Sequence, residues 1–567
     1  MRTIMDSLRY ILCVSFLLLT TTALRAANPF LPLWEYIPDG EPYVFEDPDK
    51  PGEYRVYIYG SHDSRITDYC GLELVVWSAS INDLNNWRYD GVIFESKTDA
   101  NGELLNEGGV GDVLFAPDVT MTVDANGKKT YYLFPNNQAG GRNGMAAKAD
   151  RPDGPFQVIN WSKTNPRVND GVFGFDPAVF VDDDGRVYGY WGFERSYAAE
   201  LDPTTMATVK PGTEIVEDMV SGRYQEGVYR FFEASSMRKI KDKYIFIYSR
   251  FTEDGEFGLP TTNYTLAYAY GDNPLGPFTY GGTIIDGRAR GENECGEVVA
   301  TATIGGNTHG SIAEINNQWY VFYHRQSGLN EYARQAMVEP IRIEVEEGPG
   351  GKVTISEAEY TSEGFEIDGL NLYKRYPAAI ACFYMGPTPI VQEYPNFYHS
   401  GSYMQAFYLN GKTYDDPYQL DVNCNPVVNN TDGSIVGYKY FNFDGLKAGK
   451  TSLDINLKPL GVEGSIDVMI DSPWESKGGK KIGSLSIAKD MPQEAQDVQI
   501  ALSDLSEYKG KHAIYLLFSA QEPTQSLCEL YNFTFVTDND SRSTIIVFAL
   551  VAALLLFAAL LGKRKKK

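Results

Sequence analysis

Cysteine and histidine are scarce, six and five among 567 residues. Cys13 lies in an N-terminal apolar run, and Cys70, Cys295, Cys382, Cys424 and Cys528 are odd in number and far apart. That spacing provides neither a disulfide framework nor a zinc site built on paired cysteines. Positive charge is also short: 50 Lys and Arg against 75 Asp and Glu leave a formal net charge of −25. So acidic a surface argues against nucleic acid and other polyanions as partners, and is compatible with neutral glycans. No LPxTG motif precedes the C-terminal apolar run, so covalent wall attachment is not indicated.

What is abundant points to short strands. Aromatics make up 13% of the chain, 39 of them tyrosines, alongside 54 Gly and 29 Pro. Ring-bearing residues broken by turn formers favour an all-β chain, and the length implies two or three domains. The ends carry different signals. Arg2 and Arg9, an apolar run over 10–19 and small residues up to Ala27 follow the pattern of a secretory signal peptide over 1–27. Residues 544–562 hold no charge and are followed by Lys563, Arg564, Lys565, Lys566 and Lys567. Such a run is long enough to cross a bilayer, with the basic tail on the cytoplasmic side. The expected placement is therefore secreted and membrane-anchored, with the body of the chain outside.

A two-strand phrase recurs five times before residue 345. An acidic residue or a histidine opens it, then come a strand, a polar turn and a tyrosine-bearing strand. The openers are Asp39, Asp118, Asp176, Glu233 and His309, and their tyrosines lie 18, 13, 12, 11 and 11 positions on. Five irregular β-units predict a five-bladed β-propeller. In a propeller the innermost strands line one axis, so the openers converge although they are distant in sequence. Carboxylates crowded into one pocket shift one another's pKa. A protonated acid beside an ionised carboxylate is what glycosidic-bond cleavage requires.

At PDGEPYVF, YIYGSHD, FAPDV, FDPAVFVDDDGRVY, FFEASSMRK and NTHGSIAEINNQWYVFYHR the chain resembles glycoside hydrolase family 43, over about residues 32–343. The resemblance implies an inverting α-L-arabinofuranosidase or β-xylosidase acting on arabinan, arabinoxylan or xylan of plant cell walls. It places Asp39 as general base, Asp176 as the carboxylate that orients the acid, and Glu233 as general acid. It also gives His309 a part in holding a Ca²⁺ on the axis. Asp118 and Arg325 are candidate substrate contacts. Glu41 competes with Asp39, because an extended Pro-Asp-Gly-Glu-Pro segment would turn both carboxylates to one side. The rival class is a non-catalytic, membrane-bound glycan receptor with a degenerate site.

Short alternating strands resume in the C-terminal third and predict an antiparallel β-sandwich. It is similar to family 6 carbohydrate-binding modules through VGYKYFNF, the IDS-PW-KIG run and GKHAIYLLF. Tyr438, Tyr440 and Trp474 are its candidate sugar-stacking rings. The expected division is signal 1–27, propeller 28–372, connector 373–393, sandwich 394–537, stem 538–543, transmembrane helix 544–562 and tail 563–567.

Overall fold

The structure is a computed structural model that describes residues 27–65, 67–407 and 425–538. The expected signal peptide, all but its last residue Ala27, and the expected transmembrane helix and basic tail lie outside the described residues. Among those described, no helix is long and apolar enough to cross a membrane. Regular structure there is β throughout, apart from short 3₁₀ turns.

Up to residue 341 the chain forms five main antiparallel sheets of consecutive strands, their first strands being Glu41–Glu46, Asp118–Val123, Ala178–Val181, Phe231–Ile240 and Ser311–Ile315. Apolar side chains seal each sheet to the next. Phe45, Tyr59 and Leu133 join the first two, and Phe134 and Val179 the second and third. Tyr190 with Phe246 and Ile247 with Val321 continue the series. The fifth cluster, with Val56, Trp77, Phe322 and Val338, ties the last sheet back to the first and closes the ring. The first strands face one another across the middle, where the Tyr43 hydroxyl meets Asp118 at 2.8 Å and the Ser236 and Ser311 hydroxyls are 2.8 Å apart. Each phrase opener therefore sits at or near the start of an inner strand.

In the turn that follows the third inner strand Asp183 and Asp184 are exposed, but Asp182 is buried and accepts from Lys239 Nζ and the Tyr244 hydroxyl, both at 2.6 Å. It locks the third sheet to the fourth. Residues 373–393, expected as a connector, instead supply strands: Tyr376–Pro377 pairs with Cys528–Thr537, and Phe383–Met385 with Ile435–Asn442. Strands of two or three residues carry no periodic pattern, which is why the sequence hides them.

The C-terminal unit has two six-stranded sheets around one apolar cluster that includes Val436, Ile455, Ile466, Leu516 and Phe533. Strand Thr451–Pro459 buries every second residue, as a sheet with one inward face requires. Pairing is antiparallel except where Leu370–Asn371 runs parallel to Phe441–Asn442. The two halves are interlocked, since Ala27 and Leu33 from the start of the chain join this C-terminal core.

Beneath the first sheet Glu35 accepts from Trp77 Nε1 at 2.8 Å and from the Tyr36 amide at 3.0 Å, with His62 Nε2 3.3 Å away. Burial pushes its carboxyl up to about 8. The folded state thus keeps a proton that the unfolded chain releases near pH 4.5, so this group's contribution to stability falls as pH rises between those values. Linkage makes the fall several kcal/mol. In thermal melts from pH 5 to 8, Glu35→Gln should flatten the decline in Tm. The readout is the slope, and an unchanged slope refutes the assignment.

Candidate active site

Asp39 sits just before the first inner strand at φ 60°, and Asp176 two residues before the third at φ 45°. Ala234, after Glu233, is also left-handed at φ 67°, within a register shift between Glu233 and Ser236 of its strand. Left-handed conformations in non-glycine residues are held only where surroundings over-determine them, and they cluster at functional sites. Here they aim groups at the axis. The Ala234 turn presents its amide to Asp176 Oδ2 at 3.2 Å, while Asn136 Nδ2 donates to Oδ1 at 2.7 Å.

Asp39 is buried in a dense polar cage. Its Oδ2 accepts from the Ser61 hydroxyl, and Oδ1 lies 3.1 Å from Arg334 Nη1. Its amide donates to His324 Nδ1 at 3.2 Å, and His324 Nε2 lies 2.8 Å from the Asn307 carbonyl. This pairing makes Nε2 the protonated nitrogen, and burial lowers the ring's pKa to about 3, so His324 is neutral. Burial, the largest influence, would by itself raise the Asp39 pKa, but the Arg334 guanidinium, with His324, His309 and the Ser61 hydroxyl, together outweigh it and hold the carboxyl below its ordinary value. Arg334 is fixed in turn by Asp63, with Nε to Oδ2 and Nη2 to Oδ1 both at 2.9 Å.

Glu233 has the opposite setting. It is buried, and among the described residues its carboxyl accepts no hydrogen bond. Burial, then the charges of Asp176 and Asp39, push its pKa well above the usual carboxylate range. One carboxylate is thus kept ionised and its neighbour protonated, in a shared field.

His309 lies between Asp176, 3.6 Å from Nδ1, and Glu41, 3.9 Å from Nε2. Burial disfavours its charge, yet Asp176, Asp39 and Glu41 raise it to about 9. Glu41 does not share the Asp39 cage. Since the backbone at Asp39 is left-handed rather than extended, the two side chains part, and Glu41 Oε2 pairs with Arg238 Nη2 at 2.6 Å. Asp118 is pushed up to about 7 by burial and by Glu41, and accepts from the Val179 amide at 2.6 Å. It supports the axis.

Arg325, a candidate substrate contact in the sequence, points the other way. Its guanidinium donates to the carbonyls of Ala379 at 2.6 Å and Ala381 at 2.8 Å, binding the ring to the C-terminal unit. Gln326 and Arg334 are opposite one another in the register, so the arginine one step out of phase with Arg325 is the one that reaches Asp39. Arg334, Ser61 and Asp63 were missed. The available signal was an arginine among small and apolar residues in YARQAMV, which once buried must be paired.

Sequence comparison completes the picture, for the description "Glycosyl hydrolases family 43" matches residues 44–349. The chain belongs to this family. It is an O-glycosyl hydrolase. A "Xylosidase/arabinosidase" of Thermoclostridium stercorarium is 34% identical over 442 residues, covering 75% of this chain and 84% of the relative. An "Arabinoxylan arabinofuranohydrolase" of Paenibacillus polymyxa is 26% identical over 501 residues, covering 85% and 69%. The family 43 match begins after Asp39 and Glu41, so the choice between those two carboxylates rests on their surroundings.

Of the three stacking rings expected in the C-terminal unit, one is withdrawn from the surface and two are half-buried. Tyr438 is buried in its core. Tyr440 and Trp474 pack against a cluster with Phe383, Met469 and Tyr515, and the Tyr440 hydroxyl lies 2.7 Å from Glu359. Alternation along a strand gives two faces and does not say which is covered.

Proposed function

We propose that this hydrolase releases arabinofuranosyl or xylosyl units from arabinoxylan-type plant polysaccharide by single-step inversion. Asp39 is the base that activates water, Glu233 the acid that protonates the leaving oxygen, and Asp176 the group that orients Glu233 and raises its pKa. The observation that carries this reading is the opposed ionisation of Asp39 and Glu233 in one buried field. The names of the relatives support the pentose preference. The five sheets are read as blades of a five-bladed propeller, and the C-terminal unit as a β-sandwich glycan-binding module. Secretion with a C-terminal membrane tether belongs to the same reading and is supported by the sequence pattern of the two ends.

Calcium fits the axis only as a hydrated ion. Glu41 Oε1, Asn136 Oδ1 and both His309 nitrogens are buried without hydrogen-bond partners. Yet among the described residues no three acidic, histidine or cysteine side chains are grouped to ligate a metal. A water-clad cation there would offset the acidic ring, with His309, Glu41 and Asn136 facing its waters.

Assays on p-nitrophenyl arabinofuranoside, p-nitrophenyl xyloside and arabinan should show turnover of at least one pentoside. NMR of the fresh product should show the anomeric configuration inverted. A product of retained configuration would overturn the mechanism.

A further inference from the structure

The chain beyond the ring of sheets reaches back to the loop that leads to Arg334. Strands Val391–Glu393 and Asn396–Tyr398 form a hairpin pinned to the loop that leads to Arg334. The Phe397 amide donates to the Leu329 carbonyl at 2.8 Å, and the Glu331 amide to the Pro395 carbonyl at 3.1 Å. Gln392 Nε2 donates to Glu331 Oε1, while the other Glu331 oxygen accepts from the Tyr69 hydroxyl. Close approach is possible because residue 305 is glycine: a methyl group there would sit 2.2 Å from Gln392 Oε1. The Tyr69 ring packs edge-on against Tyr332 at 4.8 Å, and the Arg334 guanidinium stands 5.0 Å from the Tyr69 centroid. The hairpin is thus connected through Glu331 and Tyr69 to the arginine that holds Asp39.

Tyr394, at the hairpin tip, adjoins Pro395, whose carbonyl accepts from the Glu331 amide next to Tyr332, and it is 72% exposed. Tyr398 is 52% exposed. Among the described residues of the C-terminal unit these are the exposed large aromatics, and both belong to this hairpin. Exposed rings beside a polar pocket match the apolar faces of neutral sugar rings, which stack on tyrosine while their hydroxyls remain in water.

We propose that Tyr394, with Tyr332 and Tyr69, forms a sugar-binding subsite for the neutral sugar ring adjoining the bound pentose in the polysaccharide. The C-terminal unit would then set specificity by completing the cleft, beyond any role in holding the enzyme on its substrate. The inference rests on the proposed placement of the chemistry at Asp39 and Glu233.

The test uses the full chain and an arabinose-substituted xylo-oligosaccharide as substrate. Tyr394→Ala should raise KM roughly five- to tenfold with kcat little changed, as expected for loss of one stacking contact. Tyr394→Phe should retain the wild-type KM, because stacking uses the ring face. Inhibition by free arabinose or xylose, which fill only the inner pocket, should be unchanged in both variants. Tyr54→Ala, at a ring 46% exposed on the first sheet, is the matched control and should leave KM unaltered. An unchanged KM in Tyr394→Ala, or an equal weakening of monosaccharide inhibition, overturns the subsite. Full activity in Asp39→Asn would instead overturn the pocket assignment on which the subsite rests.

Discussion

Asp39→Asn is expected to lower kcat by about a thousandfold, within the range for removing a general base. The amide is nearly isosteric: its oxygen can still accept from Arg334, and its Nδ2 can donate to the Ser61 hydroxyl oxygen, so the cage should persist and KM should change little. What is lost is the ability to take a proton from water. Glu41→Gln should behave differently. Its carboxylate neutralises Arg238, whose guanidinium stands 4.6 Å from the Tyr43 centroid in the axis. Removing one partner of a buried pair costs about 3–5 kcal/mol. The expected phenotype is therefore a lower Tm, with kcat per folded molecule kept to within about tenfold if Glu41 has no proton-transfer role. An active Asp39→Asn enzyme beside a folded but inactive Glu41→Gln enzyme would reverse the assignment. In the wild type, Asp39 as the proposed base should also set the acid limb of kcat/KM. That limb should fall only as pH drops through a value below the ordinary aspartate range, because Arg334 favours the charged form.

Glu233→Gln should show a loss that depends on the leaving group. An acid matters when the departing oxygen is a poor leaving group, as in a sugar chain, and hardly at all for a dinitrophenolate. The expected result is a loss of about a thousandfold or more in kcat/KM on oligosaccharides and far less on dinitrophenyl glycosides. An equal loss on both would remove Glu233 from the acid role. Folding should be unharmed, since the carboxyl accepts no hydrogen bond among the described residues and is buried in its neutral form. The basic limb gives a second readout. Wild-type kcat/KM should decline as pH rises through the elevated Glu233 value, because the protonated form is the active one; in the glutamine variant that limb should vanish.

Much of this site was legible in the sequence because the repeat is a pattern. The equivalent openings at Asp39, Asp118, Asp176, Glu233 and His309 predicted convergence, and their side chains meet through shared partners: Asp39 and Glu233 influence one another, as do His309, Asp176 and Glu41. Arg334 was not legible. It opens no phrase, and only strand register distinguishes it from Arg325, which has the more suggestive neighbour in His324. The hairpin Val391–Tyr398 was hidden because its contacts are with a distant segment, Gln392 and Glu331 lying 61 positions apart. In the same way, the burial of Tyr438 depends on a facing sheet that no local pattern reveals.

The sequence by itself determined that the chain is β throughout its described length, that it is built from repeated units, and that a set of acids converges in family 43 fashion. Periodicity, turn residues and motif spacing are local, and the chain carries them in full. Only the tertiary structure decided which acid is ionised and which protonated, because that depends on Arg334 beside one and burial beside the other. It also decided that Asp39 and Glu41 face different partners, since a left-handed residue breaks the alternation an extended strand would impose. Electrostatics acts through space, so its outcome is fixed only when distant segments have been brought within a few ångströms of one another.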